Sequence, residues 1–222
     1  MLRHRIRLFT IGLAPRILLC LAFLCAPPTD AAAESVVELP VLASLKSNDR
    51  GVFAILLLHW DQKPEPNPVA LQWLKAGVTL GRTHADAMAV AFRYAVERTP
   101  SVPHTGTVSV QEVTYIPTTN DGPSAGAAMA VGFIAMFKGD PIQRGVALTG
   151  TIRPDGSIGP VGSIPDKVRA AVREGYRTVL IPAGQLFDPH WNLTGLGVEL
   201  NVTIKEVHTI EEAYELMTGR KL

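Results

Sequence analysis

Apolar residues recur along this chain in two patterns, as short runs typical of strands and as longer stretches with helical spacing. In the first half, strands are predicted at residues 35–44 (SVVELPVLAS), 51–60 (GVFAILLLHW) and 105–116 (TGTVSVQEVTYI), and a helix from Thr83 to Arg98. Residues 124–138 (SAGAAMAVGFIAMFK) carry apolar or small side chains on every side and stop at Gly139. This pattern predicts a buried helix.

The second half of the chain mixes both kinds of element. A strand at 145–152 (GVALTGTI) is followed by the turn sequence RPDGS, which predicts a hairpin. A helix is predicted at 163–175, strands at 176–183 and 201–209, and a last helix at 210–219. Elements in this order predict an α/β or α+β domain.

Two of the helix starts carry the pattern of a capping box, in which a Ser or Thr and an acidic residue satisfy the first backbone N–H groups. The pairs are Thr83 with Asp86 and Ser163 with Asp166. Gly175 is the predicted end of the second of these helices.

Residues 1–33 have the features of a secretory signal peptide. A basic start with three arginines precedes a short apolar run at 17–26, and the small residues Ala31 and Ala33 suit cleavage before Glu34. The run is shorter than the roughly 20 residues that span a bilayer. We therefore expect a periplasmic or secreted protein, with a membrane anchor that leaves the domain facing outward as the alternative.

Removal of that leader changes the composition. Both cysteines, Cys20 and Cys25, lie in it, so no disulfide or thiol chemistry is expected in the remaining chain. That chain has 17 basic and 19 acidic residues, a balance that gives no reason to expect nucleic-acid binding. The histidines are scattered and no H-E-x-x-H motif occurs, so no metal site or other cofactor is predicted.

Two residues are candidates for chemistry. Ser124 opens a helix, where serine is usually a cap, but the first turn also presents the N–H groups of Gly122, Ser124 and Ala125 to a possible oxyanion. Lys167 lies beside the apolar stripe of the 163–175 helix and in its first turn. Burial and the helix dipole both favour its neutral form, which can act as a base, although such a lysine more often extends its charge into water.

The surroundings of both residues resemble the proteolytic domain of the Lon family of serine proteases. The segment DGPSAG is followed 43 residues after its serine by the lysine of GSIPDK, with ALTGTI between them and YRTVLIP afterwards. The resemblance implies that Ser124 is the nucleophile and Lys167 its base. It also implies that Thr149 supports the lysine, and Asp121 fills the acidic position before the serine.

The resemblance runs from about Val108 to the C-terminus, with departures. Ile164 and Pro165 interrupt the family's G-G-(L/I)-K-E-K motif, whose first lysine is missing, and Thr151 replaces the acid of its T-G-E segment. The family's fold is an α+β sandwich of the ribosomal protein S5 domain 2-like group, and its domains often form rings of identical subunits. We expect residues 34–222 to form one such domain.

No G-x-x-x-x-G-K-[ST] phosphate loop occurs in the 222 residues, so no ATP cycle is expected. The predicted function is therefore that of an exported, ATP-independent serine endopeptidase that cleaves unfolded proteins or peptides. Two alternatives stay open. One is a non-catalytic binding or assembly module of the same family. The other is an α/β-hydrolase esterase, since GPSAG fits the G-x-S-x-G elbow and Asp188 with His190 or His208 could complete a triad.

Overall fold

The structure is a computed structural model that describes residues 34–45, 50–64, 67–75, 79–115 and 119–222. The predicted leader lies outside these ranges. The strands are β1 Glu34–Leu45, β2 Arg50–Asp61, β3 Ala70–Trp73, β4 Thr79–Leu80, β5 Thr107–Val113, β6 Thr119–Asn120, β7 Val146–Leu148, β8 Thr151–Ile152, β9 Ile158–Gly159, β10 Thr178–Pro182 and β11 Thr203–Val207. The helices are α1 Arg82–Arg98, α2 Gly126–Lys138, α3 Ile164–Arg173, α4 Leu193–Leu200 and α5 Ile210–Thr218, with a short 3-10 helix at Pro123–Ala125. No helix within the described ranges is long and apolar enough to cross a membrane.

The larger sheet has the strand order β1-β2-β5-β3. β1 and β2 form an antiparallel hairpin, β5 runs antiparallel to β2, and β3 runs parallel to β5. Every second residue of β2 from Val52 to Trp60 is buried, as the two-residue period of a strand requires when one face is covered. Helices α2 and α3 both contact the β1–β2 hairpin.

The smaller sheet is parallel and has the order β11-β10-β7. Helices α4 and α5 contact β11, and α5 also contacts β7. The predicted hairpin forms between β8 and β9, with Gly156 in the left-handed region at φ 84° in its turn. The predicted mixture of helices and strands, antiparallel and parallel, is thus confirmed as α+β.

Helix α2 is the centre of the larger hydrophobic core. All of its residues except Lys138 are buried, which confirms the prediction made from its apolar pattern. The sheet packs closely on it at Gly132, where an added Cβ would lie 2.8 Å from a methyl of Leu39 and 2.9 Å from a methyl of Leu58. The helix ends at Gly139 with φ 71°, the left-handed conformation expected of a glycine stop.

Both predicted capping boxes are wrong. Helix α1 is capped from a distant segment, because the backbone N–H of Thr83 donates to Oδ1 of Asp121 at 3.0 Å. Ser163 stands before α3 in the left-handed conformation, φ 56°, and its side chain accepts no hydrogen bond from the helix. A capping side chain needs an extended backbone at its own residue, which Ser163 does not have.

Other differences concern short elements. The strand predicted at 145–152 is divided into β7 and β8, because the backbone N–H and carbonyl of Gly150 bond to the start of α2 and not to a neighbouring strand. Strand β3 and helix α4 were not predicted, and the strand predicted to reach residue 116 ends at Val113.

The start of β2, at the connected end of the β1–β2 hairpin, lies against α3. A Cβ added to Gly51 would lie 1.9 Å from the backbone oxygen of Asp166, and Arg173 donates to the Gly51 carbonyl at 2.8 Å. The hairpin thus determines where the first turn of α3 sits.

We expect Gly51→Ala to lower the free energy of unfolding by about 1–3 kcal/mol, because the added methyl must displace packed backbone. Urea denaturation measures this change. Gly162→Ala is the matched control, since a Cβ there meets no atom within 4 Å. Equal stability of the two variants would contradict the close contact with α3.

Candidate active site

Ser124 lies in the short 3-10 helix that leads into α2. Gly122 before it is extended, and Pro123 occupies the first helical position, where its missing N–H and restricted φ are best tolerated. The Ser124 hydroxyl is part-exposed and forms no hydrogen bond within the described ranges. Neither the 3-10 helix nor α2 has a side-chain cap. The ordinary interpretation of Ser124 as a helix cap is therefore wrong.

The backbone of Ser124 is held by the segment between β7 and β8. Its carbonyl accepts the N–H of Gly150 at 2.8 Å and the hydroxyl of Thr149 at 3.3 Å. One turn later the N–H of Ala127 donates to the carbonyl of Gly150 at 3.0 Å. These three bonds attach the start of the helix to the segment between β7 and β8, and they leave the serine hydroxyl free.

Lys167 lies in the first turn of α3 with its side chain turned into the protein. It is 2% exposed, and its neighbours Ile164 and Val168 are completely buried. Burial lowers its pKa to about 8, because the charged amine loses its hydration. The pKa is thus lowered, as predicted. The alternative, in which the lysine amine extends into water, does not fit the buried side chain.

Thr149 connects the two candidate residues. Nζ of Lys167 donates to Oγ1 of Thr149 at 3.1 Å, and the same oxygen donates its hydrogen to the Ser124 carbonyl. The Thr149 side chain is completely buried. The contact between Thr149 and the lysine that the resemblance implies is present, and it extends to the backbone of the serine.

The loop before α3 is held by a residue that sequence reasoning missed. The side-chain amide of Gln185 donates to the carbonyl of Val161 at 2.8 Å and accepts its N–H at 2.9 Å. Two residues later the chain turns through Ser163 in the left-handed conformation, which glycine adopts most easily. No local pattern marks Gln185, because its partner lies 24 residues away.

Asp121 and Gly122 lie just before Ser124 in the chain, in a segment that contacts α1. The Asp121 carboxylate binds the first turn of α1, so it connects the serine loop to that helix. Pro123 has no N–H, so the amides that open the 3-10 helix are those of Ser124 and Ala125, with Gly122 preceding. Their assignment to an oxyanion stays a prediction.

One histidine contacts the serine loop, and it was not singled out from the sequence. Nδ1 of His84 lies 3.2 Å from the carbonyl oxygen of Gly122. The signal that could have found it is a polar residue on the apolar face of α1, four positions before the buried Met88. By contrast, His190 and His208 are exposed, and no hydrogen bond joins either ring to Ser124 among the described residues.

The esterase alternative also requires a strand that runs directly into a tight turn at the serine. Among residues 119–123, which the structure describes, the two-residue strand β6 ends at Asn120, and the serine itself is in a 3-10 helix. This geometry does not favour an α/β-hydrolase elbow. Within the described ranges, no group of three His, Cys, Asp or Glu side chains is arranged to bind a metal ion.

Comparison with known proteins agrees with the geometry. The family model for the Lon protease (S16) C-terminal proteolytic domain matches residues 90–217, more than half of the chain. The Lon protease of Haemophilus influenzae is 32% identical over 142 residues, which cover 63% of this chain and 16% of that protein. Lon protease 2 of Syntrophobacter fumaroxidans is 38% identical over 104 residues, 45% of this chain and 12% of that protein. The Lon protease of Escherichia coli K12 is 45% identical over 65 residues, 29% of this chain and 8% of that protein.

This chain belongs to the family of the Lon protease (S16) C-terminal proteolytic domain. The resemblance seen in DGPSAG and GSIPDK is thereby confirmed, and the domain is of the serine peptidase class. The chain spans less than a fifth of the length of the three relatives named above.

The buried Lys167 makes a prediction about stability that does not depend on activity. Its folded pKa of about 8 lies below the ordinary lysine value, so folding penalises the charged form. The unfolded chain binds more protons between these two pKa values, and the stability of the wild type therefore rises as the pH increases through that window. Lys167→Met should be more stable than the wild type by about 2–3 kcal/mol at pH 7, and this advantage should shrink towards pH 10.

Urea denaturation at both pH values measures this difference in the free energy of unfolding. Lys205→Met is the matched control, since it removes a lysine whose side chain is exposed. A stability difference for Lys167→Met that is the same at pH 7 and pH 10 would show that the lysine titrates normally.

Proposed function

We propose that this chain is an ATP-independent serine endopeptidase in which Ser124 is the nucleophile and Lys167 the general base. One observation carries the proposal. The Thr149 hydroxyl is bonded both to Nζ of a buried lysine and to the carbonyl of a serine whose own hydroxyl is free. A nucleophile, a nearby base and a third group that orients the base are the parts that nucleophilic catalysis requires.

The hydrogen-bond directions support this division of roles. Thr149 gives its single hydroxyl hydrogen to the Ser124 carbonyl, so it can only accept from Lys167. The neutral amine therefore binds Thr149 through an N–H and keeps its lone pair for another proton. A pKa lowered to about 8 by burial leaves enough of the neutral form near neutral pH.

The chemical steps follow from these positions. Lys167 takes the proton of the Ser124 hydroxyl as that oxygen bonds to the carbonyl carbon of the substrate peptide. The tetrahedral intermediate then collapses to an acyl ester on Ser124, and the lysine ammonium returns the proton to the leaving amine. A water molecule then gives a proton to the neutral lysine and attacks the ester carbonyl. The bond to the Ser124 oxygen breaks, the lysine ammonium returns the proton to that oxygen, and the acid product leaves.

The developing oxyanion requires hydrogen-bond donors on the serine side of the site. We assign this role to the backbone amides of Gly122, Ser124 and Ala125, which lie where a helix begins. One such donor is worth roughly 3 kcal/mol in the transition state. The bonds from Thr149 and Gly150 to the Ser124 carbonyl would keep these amides in place.

The wider proposal has four parts, which concern the substrates, the independence of ATP, the fold group and the assembly. The substrates are unfolded proteins or peptides, and cleavage does not require ATP, because the chain has no phosphate-loop motif. The fold is of the ribosomal protein S5 domain 2-like group and assembles as a ring of identical subunits. Support for the fold and the ring comes from family membership and from the α+β arrangement of the described residues.

We expect Ser124→Ala and Lys167→Ala each to reduce casein cleavage at least about a thousandfold, because members of a catalytic unit fail together. Lys167→Arg should not restore cleavage, since guanidinium stays protonated. Wild-type activity should rise with pH through about 8, as the base loses its proton, and should be the same with and without ATP. Mass spectrometry of casein fragments measures cleavage.

Ser101→Ala and Lys205→Ala are the matched controls, because both side chains are exposed and distant in sequence from the motifs. Labelling of Ser124 by a serine-reactive phosphonate separates the enzyme from a non-catalytic binding module, which would leave the serine unlabelled. Full activity in a folded Lys167→Ala variant would refute the proposed base.

We also propose that the chain is exported and that residues 1–33 are removed. Sequencing of protein recovered from outside the cytoplasm is expected to find Glu34 at the N-terminus. An intact Met1 on membrane-bound protein would instead identify the leader as an anchor.

A further inference from the structure

His84 is a buried histidine with one defined contact. It lies in the first turn of α1, its side chain is 0% exposed, and its Nδ1 is 3.2 Å from the Gly122 carbonyl oxygen. A carbonyl oxygen can only accept, so Nδ1 must carry the hydrogen of this bond. The neutral ring is then the Nδ1–H tautomer.

The other side of the ring makes no hydrogen bond. Nε2 of His84 is buried without a partner among the described residues, and the edge of the ring packs against Trp73 at a centroid distance of 6.0 Å. A buried polar atom without a partner costs stability, which an apolar side chain of similar size would avoid. The hydrogen bond from Nδ1 to the Gly122 carbonyl is therefore the physical reason for a histidine at this position.

Burial of the His84 ring favours its neutral form. Burial is the main influence and lowers the pKa of His84, while the Gly122 carbonyl and the Asp121 carboxylate act in the opposite direction. Asp121 also binds the N–H of Thr83, one residue before His84, so the same loop meets α1 at two adjacent points.

Gly122 needs such a bond because little else restricts it. Its φ of −159° is ordinary extended backbone, and a Cβ added there would meet no atom within 4 Å. The next residue, Pro123, has no N–H to donate. Hydrogen bonds to the Gly122 carbonyl therefore determine the direction in which the chain enters the helix that carries Ser124.

We propose that His84 is a positioning residue for the nucleophile, whose Nδ1–H bond to the Gly122 carbonyl holds the Gly122–Pro123 peptide and, through it, Ser124. This inference rests on the proposed function, and it assigns to His84 no contact with the substrate. Removal of the bond should lower the rate of the chemical step while leaving substrate affinity almost unchanged.

The test compares His84→Leu with His84→Asn in the purified chain, using a peptide that spans a casein cleavage site. Asparagine can place its amide N–H near the position of Nδ1, whereas leucine cannot donate. We expect His84→Leu to lower kcat by about 10- to 100-fold, as expected for a misplaced nucleophile, with KM within about twofold. His84→Asn should recover most of the lost kcat.

A control and an independent readout complete the test. His190→Leu alters an exposed histidine and should leave kcat unchanged. A ¹⁵N–¹H spectrum of the wild type should show His84 protonated at Nδ1 and bare at Nε2. Each of three results would overturn the inference without affecting the proposed roles of Ser124 and Lys167. These results are the opposite tautomer, wild-type kcat in a folded His84→Leu variant, and a kcat of His84→Asn that is no higher than that of His84→Leu. A wild type that cleaves no peptide would overturn the proposed function and this inference together.

Discussion

The hydrogen bonds of the Thr149 hydroxyl join the three parts of the structure on which the site depends. Thr149 follows β7, its donor Lys167 begins α3, and its acceptor is the carbonyl of Ser124 just before α2. Thr149 and Lys167 lie in an interior where water competes little, so the bond between them is stronger than it would be at the surface. A shift of any one element would leave a buried amine or hydroxyl without its partner.

Burial of the Lys167 amine costs free energy, and the packing of the surrounding core causes this burial. Ile164 and Val168 anchor the apolar face of α3 in the smaller core, and this orientation carries the lysine inward with them. A charged amine whose hydrogen-bond partner is a neutral hydroxyl would cost free energy there. The pKa is therefore lowered, which favours the uncharged amine. The packing that stabilises α3 is thus also the cause of the property that a general base requires.

Elements with strong local patterns were predicted well, and elements that depend on their neighbours were not. The apolar runs of β1, β2 and α2 and the glycine stop of α2 are visible in single segments of sequence. Helix α4 contains two glycines within eight residues and has weak helical propensity. Its start is stabilised by the Asn192 side chain, which accepts the N–H of Gly195 at 3.0 Å. Strand β3 has four residues and exists through pairing with β5.

The capping errors have the same origin. A capping box is a pattern of residues three apart, and both pairs had suitable side chains. In the structure α1 is capped by Asp121 from 38 residues away, and the turn before α3 places Ser163 in a conformation that cannot cap. Local sequence indicated that these helix ends needed partners, but it could not identify the partners.

By itself, the sequence indicated the family, the burial of α2 and the α+β class, and it singled out Ser124 and Lys167 as candidates. Motifs and apolar periods are properties of short segments, so they can be recognised without the tertiary structure. Tertiary structure decided how these residues meet. The Thr149 bonds cross 18 and 25 residues, and the contact of His84 with Gly122 crosses 38. Such contacts form only when sheets and helices pack, because the chain between their ends must first be ordered by the core.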